Sequence, residues 1–445
     1  MNREGTKSRR DFLRLSAASP LLLPLVTPTG RTLADETRAK NERPRMGLIG
    51  CGGQGSGDAG WASNYGDFLA VCDVDKHHAE HARNNNRIGK GKADVYEDYR
   101  KLLDRNDIDA VVIGTPDHWH TKILIDAMKA GKDAYCEKPL TLTIDEGKKI
   151  GEVAKRTGRV VQVGTQQRSS HNNVFLLAVA LVRSGRIGRI RKVTAAIGGG
   201  PTGGPFPVTT PPPELNWHMW LGQAPKVEYR EKRCHYEFRW WYEYSGGKLT
   251  DWGAHHVDVG QWGLGLDNTG PKTIEIVKGE LPVPYKHGWP TVDDRYNTVT
   301  SFLIKATFAT GVTLEIRDDT ENGVTFQGTN GRIFVTRDRI DLDGGAVNAL
   351  WKEPVPESLM RQLRKGQKVE GHMENFFTCM RNRAVPASDV WSHHRILTTC
   401  HLSNIAIRLG GRKLTWDPDK QEIVGDKEAN AFLTRPQRKG FEITT

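Results

Sequence analysis

The 445-residue chain has no internal run of about 18 apolar residues, so no spanning helix is expected in the mature protein. It has no C-x-x-C pair among Cys51, Cys72, Cys136, Cys234, Cys379 and Cys400, so neither a zinc site nor a disulfide framework is expected. Cys51, Cys72 and Cys136 sit in or beside strand-like segments and read as small buried apolar residues. There is no Lys/Arg block and no interleaving of basic and aromatic residues, which excludes a nucleic-acid groove. The formal charge is +11, of which residues 1–34, with six Lys/Arg against two Asp/Glu, carry a net +4. Internal repeats are absent. What remains, 37% hydrophobic and 26% charged residues, is the composition of a soluble globular protein of two domains or more.

The N-terminus carries an address. Ser8-Arg9-Arg10-Asp11-Phe12-Leu13-Arg14 precedes a moderately apolar stretch, Leu15 to Val26, broken by Pro20 and Pro24. This resembles a twin-arginine export signal, with cleavage expected after Thr32-Leu33-Ala34; the bland reading is a basic, disordered tail. The resemblance implies recognition by the twin-arginine translocase, a periplasmic or otherwise exported protein, and no stable membrane anchor. Beyond the membrane no pool of diffusible cofactor is replenished, so an exported protein that needs one must carry it tightly bound.

Residues 35–44 read as a linker. From Arg45 unbroken apolar strands (Met46–Ile49, Phe68–Cys72, Ala110–Ile113, Ala134–Cys136, Val160–Val163) alternate with helical candidates at Tyr99–Leu103, Lys122–Lys129 and Ile144–Thr157. That alternation predicts an α/β domain over 45–165, its parallel sheet covered on both faces. Residues 166–430 read as a second α/β domain, with strands at Thr298–Ile304 and Val312–Ile316 and a hairpin at Asn330-Gly331 between Val324–Gln327 and Arg332–Val335. Closing helices are expected at His372–Arg383 and Ser392–Leu409, and residues 431–445 read as a tail.

Gly50-Cys51-Gly52-Gly53-Gln54-Gly55 follows the first strand. In such a turn Gly50 bends tightly, Gly52 lets backbone approach a pyrophosphate, and Gly55 lets the helix pack close. The helix N-terminus then offers free N–H groups to phosphate. Asp73 closes the second strand 18 residues after Gly55, where a carboxylate takes ribose hydroxyls and repels a 2′-phosphate. The set predicts NAD rather than NADP. Asp75 either shares that role or caps the next helix.

Cys136-Glu137-Lys138-Pro139, Asp251-Trp252-Gly253-Ala254-His255 and Thr115-Pro116-Asp117-His118-Trp119-His120, together with the glycine turn, resemble the glucose–fructose oxidoreductase / inositol dehydrogenase (Gfo/Idh/MocA) family over nearly all of residues 45–420. The resemblance implies an N-terminal Rossmann domain and a C-terminal α/β domain with a large open, mostly antiparallel sheet. It implies Lys138, Asp251 and His255 in the pocket beside the nicotinamide. Independently, a His suits removal of a hydroxyl proton, and a Lys stabilises the charge that develops on the oxygen. If the segment is helical, Asp251 and His255 share a face, so Asp251 either holds the imidazole or binds a second substrate hydroxyl.

Gly53, Gln54, Thr115, Pro116, His118, His120, Glu137 and Gln166 are expected beside the cofactor. His118 and His120 end a strand, where they serve either the pocket or a cap. Arg168 and Trp240 are expected to touch substrate, although the segment around Gln166 departs from the family's commoner asparagine–arginine pattern. Trp217, Trp220, Trp240, Trp241 and Tyr244 form either core and interface or a stacking surface for sugar rings. No metal is expected.

The first expectation is thus an exported NAD-dependent oxidoreductase acting on a sugar, cyclitol or glycoside hydroxyl. The second is a glycoside lyase or hydrolase that oxidises one hydroxyl transiently. The third is a non-catalytic NAD or sugar sensor. The second domain's open sheet needs cover, which predicts a homodimer or homotetramer.

Overall fold

A computed structural model describes residues 43–343, 354–367 and 371–445. Residues 1–34, read as an export signal, and residues 35–42, read as part of a linker, lie outside the described residues.

Six strands form the first sheet: β1 (Arg45–Ile49), β2 (Asp67–Cys72), β3 (Asp94–Tyr96), β4 (Ala110–Ile113), β5 (Asp133–Cys136) and β6 (Val161–Val163). They pair in parallel in the order β3-β2-β1-β4-β5-β6. The strand order reverses between β1 and β4, which opens a crevice beyond their carboxyl ends. All four residues of β4 are buried. Val111 and Ile113 pack into one core with Leu124, whereas Ala110 and Val112 pack into another with Phe376. Two covered faces explain why these strands are apolar throughout instead of alternating.

The second sheet is built from β7 (Ile190–Ala196), β8 (Thr273–Glu280), β11 (Ser301–Thr307), β12 (Thr313–Arg317), β13 (Gly323–Gly328), β14 (Arg332–Val335), β15 (Ile340–Asp343), β16 (Leu414–Asp417) and β17 (Glu422–Ile423). A separate ribbon pairs β9 (Tyr285–Lys286) with β10 (Trp289–Pro290). The nine strands run in the order β15-β14-β13-β7-β12-β11-β8-β16-β17, antiparallel except for β7 with β12. In β11 and β12 burial alternates residue by residue, because the helices Val174–Arg183, Gly253–Leu264 and Val390–Arg408 cover one face only. The fold is therefore a Rossmann domain followed by an α/β domain with a large, mostly antiparallel sheet.

Four differences from the sequence reading have local causes. The strand expected from Thr298 starts at Ser301, because the Asn297 and Thr298 amides donate to Trp240 O. The helix expected from Lys122 starts at Asp117, so His118 and His120 lie in its first turn and not at a strand end. The helix His372–Asn382 returns to the Rossmann sheet, packing Met373, Phe376 and Phe377 on its back face. Residues read as a tail also return there: Phe441 and Ile443 join the core that contains Trp119 and Ile123.

Candidate active site

The glycine turn is a cradle that side chains would fill. Gly50 has φ +86°, and a Cβ there would sit 2.6 Å from Gly114 C. A Cβ on Gly55 would sit 2.0 Å from Gly50 O. The β1 and β4 loops thus interlock through bare backbone. Gly53, by contrast, faces open space, and no side chain caps the helix Gly53–Ala62, so its first N–H groups are free for a ligand. A cavity of about 420 Å³ opens there, lined by this turn, Asp73, Thr115, Pro116, His120, Glu137 and Lys138. Asp73 accepts from Cys51 N at 2.7 Å and Asp75 N at 2.9 Å, which ties it to the turn. Asp75 caps the helix Lys76–Asn84, accepting from His77 N and His78 N. Asp73 and Glu97 line the same end of the cavity, a poor place for a 2′-phosphate. These features fit NAD.

A second cavity of about 430 Å³ shares Gln54, Glu137, Lys138, Tyr236 and Arg239 with the first and adds Asp251, His255 and Gln166. Lys138 Nζ donates to Asp251 Oδ1 at 2.5 Å, and Arg239 Nε lies 3.9 Å from Asp251 Oδ2. Burial pulls the Lys138 pKa down, but Asp251 and Glu137 outweigh it and hold the ammonium above its ordinary range. The Asp251 carboxyl is held below its usual range: burial opposes this, and Lys138 and Arg239 prevail. The helix breaks between Lys248–Asp251 and Gly253–Leu264. Asp251 therefore serves Lys138 instead of holding the His255 imidazole. His255 is buried with no partner on Nδ1; burial, then Lys138 and Arg337, push its pKa well below the usual imidazole value. It stands as a neutral imidazole beside a charged ammonium.

A carboxyl pair lies under this cavity. Glu137 accepts from Gln166 Nε2 at 2.9 Å and from Lys138 N at 3.2 Å. Burial and then the adjacent Glu137 push the Asp58 pKa well up, and burial raises that of Glu137 as well. Asp117, which lines the dinucleotide cavity, accepts from Ser245 Oγ at 2.6 Å, and burial raises its pKa to about 7.

Three expected residues lie elsewhere. Arg168 is buried in a fork to Asp258, with Asp267 also within 3.3 Å, and lines neither cavity. It joins the segment after β6 to the helix Gly253–Leu264. Trp240 is buried among Trp241, Tyr244 and Tyr296, and of the aromatic set Trp220 alone lines a cavity, the dinucleotide one. The His118 ring turns to Trp220 O at 2.9 Å, whereas His120 lines the dinucleotide cavity between Pro139 O and Thr115 O, at 2.8 Å each. Conversely, Asp58, Trp61, His171, Tyr236, Arg239, Trp252 and Arg337 line the second cavity without having been singled out. Trp252 lies inside the D-x-G-x-H motif and was within reach; the others carry no local signal.

A family model described as "Oxidoreductase family, NAD-binding Rossmann fold" matches residues 44–165, and one described as "Oxidoreductase family, C-terminal alpha/beta domain" matches residues 205–443, both of the Gfo/Idh/MocA group. Among curated proteins, a "Glycosyl hydrolase family 109 protein 1" of Shewanella sp. MR-4 is 32% identical over 179 residues, 38% of each chain. An "Alpha-N-acetylgalactosaminidase" of Shewanella oneidensis is 32% identical over 177 residues, again 38% of each. The chain thus spans under two fifths of the length of these relatives. Among solved structures, the WlbA dehydrogenase of Bordetella pertussis in complex with NADH and UDP-GlcNAcA has TM-score 0.58 at 20% identity, covering 84% of this chain and 99% of that one. The myo-inositol dehydrogenase of Lactobacillus casei in complex with NAD(H) and myo-inositol has TM-score 0.55 at 17% identity, covering 84% and 97%. These likenesses show the fold.

Proposed function

The chain belongs to the Gfo/Idh/MocA oxidoreductase family, with an NAD-binding Rossmann domain, and from that premise we propose that it is an NAD-dependent enzyme that oxidises a hydroxyl of a carbohydrate. The observation that carries this is the meeting of Lys138, Asp251 and His255 in the cavity that adjoins the dinucleotide groove. Gly50, Gly52, Gly53 and Gly55 would cradle the pyrophosphate and Asp73 the adenosine ribose. Bound there, NAD supplies hydride transfer.

The chain's own groups handle the rest. The Lys138 ammonium donates to the substrate oxygen and stabilises negative charge that develops on it. His255, neutral at working pH, accepts the hydroxyl proton. Asp251 keeps Lys138 charged and aimed. Glu137, fixed by Gln166, adds a second carboxylate that favours the ammonium.

A second reading is favoured by the glycosidase relatives: transient oxidation of one hydroxyl acidifies the neighbouring C–H, elimination cleaves a glycoside, and the oxidation is reversed. The twin-arginine motif Ser8–Leu13 supports export, and a cycle without net NADH suits a compartment lacking a dinucleotide pool. Six free, buried cysteines are compatible with folding in a reducing cytoplasm first.

The experiment is to purify the protein, measure bound NAD, and supply sugars and aryl glycosides. Net NADH with a ketone product supports net oxidation. Glycoside cleavage without net NADH supports the second reading. Bound NAD with neither outcome would leave a sensor. Arg9→Lys with Arg10→Lys should hold the protein in the cytoplasm; unchanged export would remove the twin-arginine reading.

A further inference from the structure

The cations around the second cavity are not equally paired. Its cations are Lys138, Arg239 and Arg337; its carboxyls are Asp251, Glu137 and Asp58, and its histidines are His171 and His255. Lys138 and Arg239 both engage Asp251. Glu137 accepts from Lys138 N at 3.2 Å, and Asp58 lies against Glu137. His255 is held neutral, and burial beside Arg337 pulls the His171 pKa down as well.

Arg337 has no ion pair among the described residues. Its turn, closed by Thr336 N donating to Arg339 O at 3.0 Å, joins β14 to β15 and reaches the cavity from the edge of the second sheet. The guanidinium lies 4.9 Å from the Trp252 ring centroid, a stacking that orients it, and its Nε is buried without a partner. On this half-buried side chain the buried Nε–H is a donor that lacks an acceptor, which costs free energy until one arrives. The cavity mouth also presents Trp61, 44% exposed, and Tyr236, 68% exposed, with Arg239 stacked 4.4 Å from the Tyr236 ring. Exposed aromatic faces at a polar cavity suit the C–H face of a sugar ring. His171, which lines the cavity near Arg337, begins a run with Asn172 and Asn173 in which all three have positive φ.

We propose that the substrate is a sugar bearing an oxyanion, of the uronate or sugar-sulfate kind, and that Arg337 binds that oxyanion. This rests on the reading of the second cavity as a carbohydrate site beside the nicotinamide, and narrows it. Oriented planar donors match a two-oxygen anion, which makes arginine more selective here than a lysine would be.

The test uses NAD-loaded protein and matched pairs differing only in the anion: p-nitrophenyl β-glucuronide with the glucoside, p-nitrophenyl β-galacturonide with the galactoside, and galactose 6-sulfate with galactose. Calorimetry reads binding; NADH absorbance and nitrophenolate release read chemistry. At least one anionic member should bind roughly 10- to 100-fold tighter than its neutral twin. Arg337→Met should remove that preference while leaving NAD binding intact, and Arg337→Lys should keep part of it. Arg337→Gln, which removes the charge but keeps a polar side chain, serves if the Met variant does not fold. Equal binding of the twins, or a preference that survives both substitutions, overturns the assignment of Arg337 and leaves the carbohydrate reading standing. Binding and turnover of neither series would remove both.

Discussion

Lys138 Nζ and Asp251 Oδ1 lie 2.5 Å apart although 113 residues separate them in the chain. The Rossmann strand β5 delivers one, and the short helix Lys248–Asp251 of the second domain delivers the other. The pair is therefore both the electrostatic centre of the site and the seam between the two sheets.

Asp251→Asn is expected to lower kcat about 100-fold, the scale of one well-placed electrostatic group. It should also shift the pH profile. Asp251 raises the Lys138 pKa against burial, so without it burial dominates and the ammonium deprotonates at lower pH. The basic limb of the kcat profile should move down, with NAD affinity unchanged by calorimetry. A basic limb that stays in place would show that Lys138 does not titrate in that limb.

His255→Ala should cost roughly 10²- to 10⁴-fold in kcat, the range of general-base catalysis. Burial lowers the His255 pKa well below its usual value, so the imidazole is neutral from mildly acidic pH upward. The acidic limb of kcat/KM is accordingly expected well below pH 6.5, the ordinary histidine value. An acidic limb at or above that pH would assign the base elsewhere.

Gly55→Ala should abolish NAD binding and lower Tm, because the added methyl meets Gly50 O at 2.0 Å and neither backbone strand has room to retreat. Asp73→Ala should weaken NAD by about 10-fold and narrow its advantage over NADP, as expected from the loss of a charge-assisted hydrogen bond. Fluorescence titration with both dinucleotides checks each. Undiminished preference for NAD in the Asp73 variant would assign the selectivity to other groups.

Asp117 makes the stability of the cofactor-free protein fall with pH. Burial raises its folded pKa from 3.8 to about 7, so between those values the native state holds a proton that the unfolded chain has released. Stability from this group is present below the lower value and lost as pH rises to the higher one. At about 1.4 kcal/mol per unit, the loss by pH 8 is roughly 4 kcal/mol. Asp117→Asn carries no such loss. Its Tm advantage over the parent should grow between pH 4 and 7 and then level off; a pH-independent difference would contradict the shift.

The sequence by itself determined the local chemistry. The glycine turn, Asp73 after β2, Lys138 after β5 and the Asp251–His255 motif are set by the geometry of a few consecutive residues, which spacing reveals. Buried β4 and alternating β11 and β12 were legible for the same reason: each strand's pattern records how many of its faces are covered. Tertiary structure alone decided what those residues meet. Arg168 and Trp240 were both expected to touch substrate, yet packing buries one against Asp258 and the other in an aromatic core. His118 and His120 are two residues apart, but the helical turn aims one at Trp220 and the other at the cofactor cavity. Arg337 and Trp61 reach one cavity from a hairpin of the second sheet and a helix of the first. No local rule records such convergence, because it is fixed by contacts between segments hundreds of residues apart.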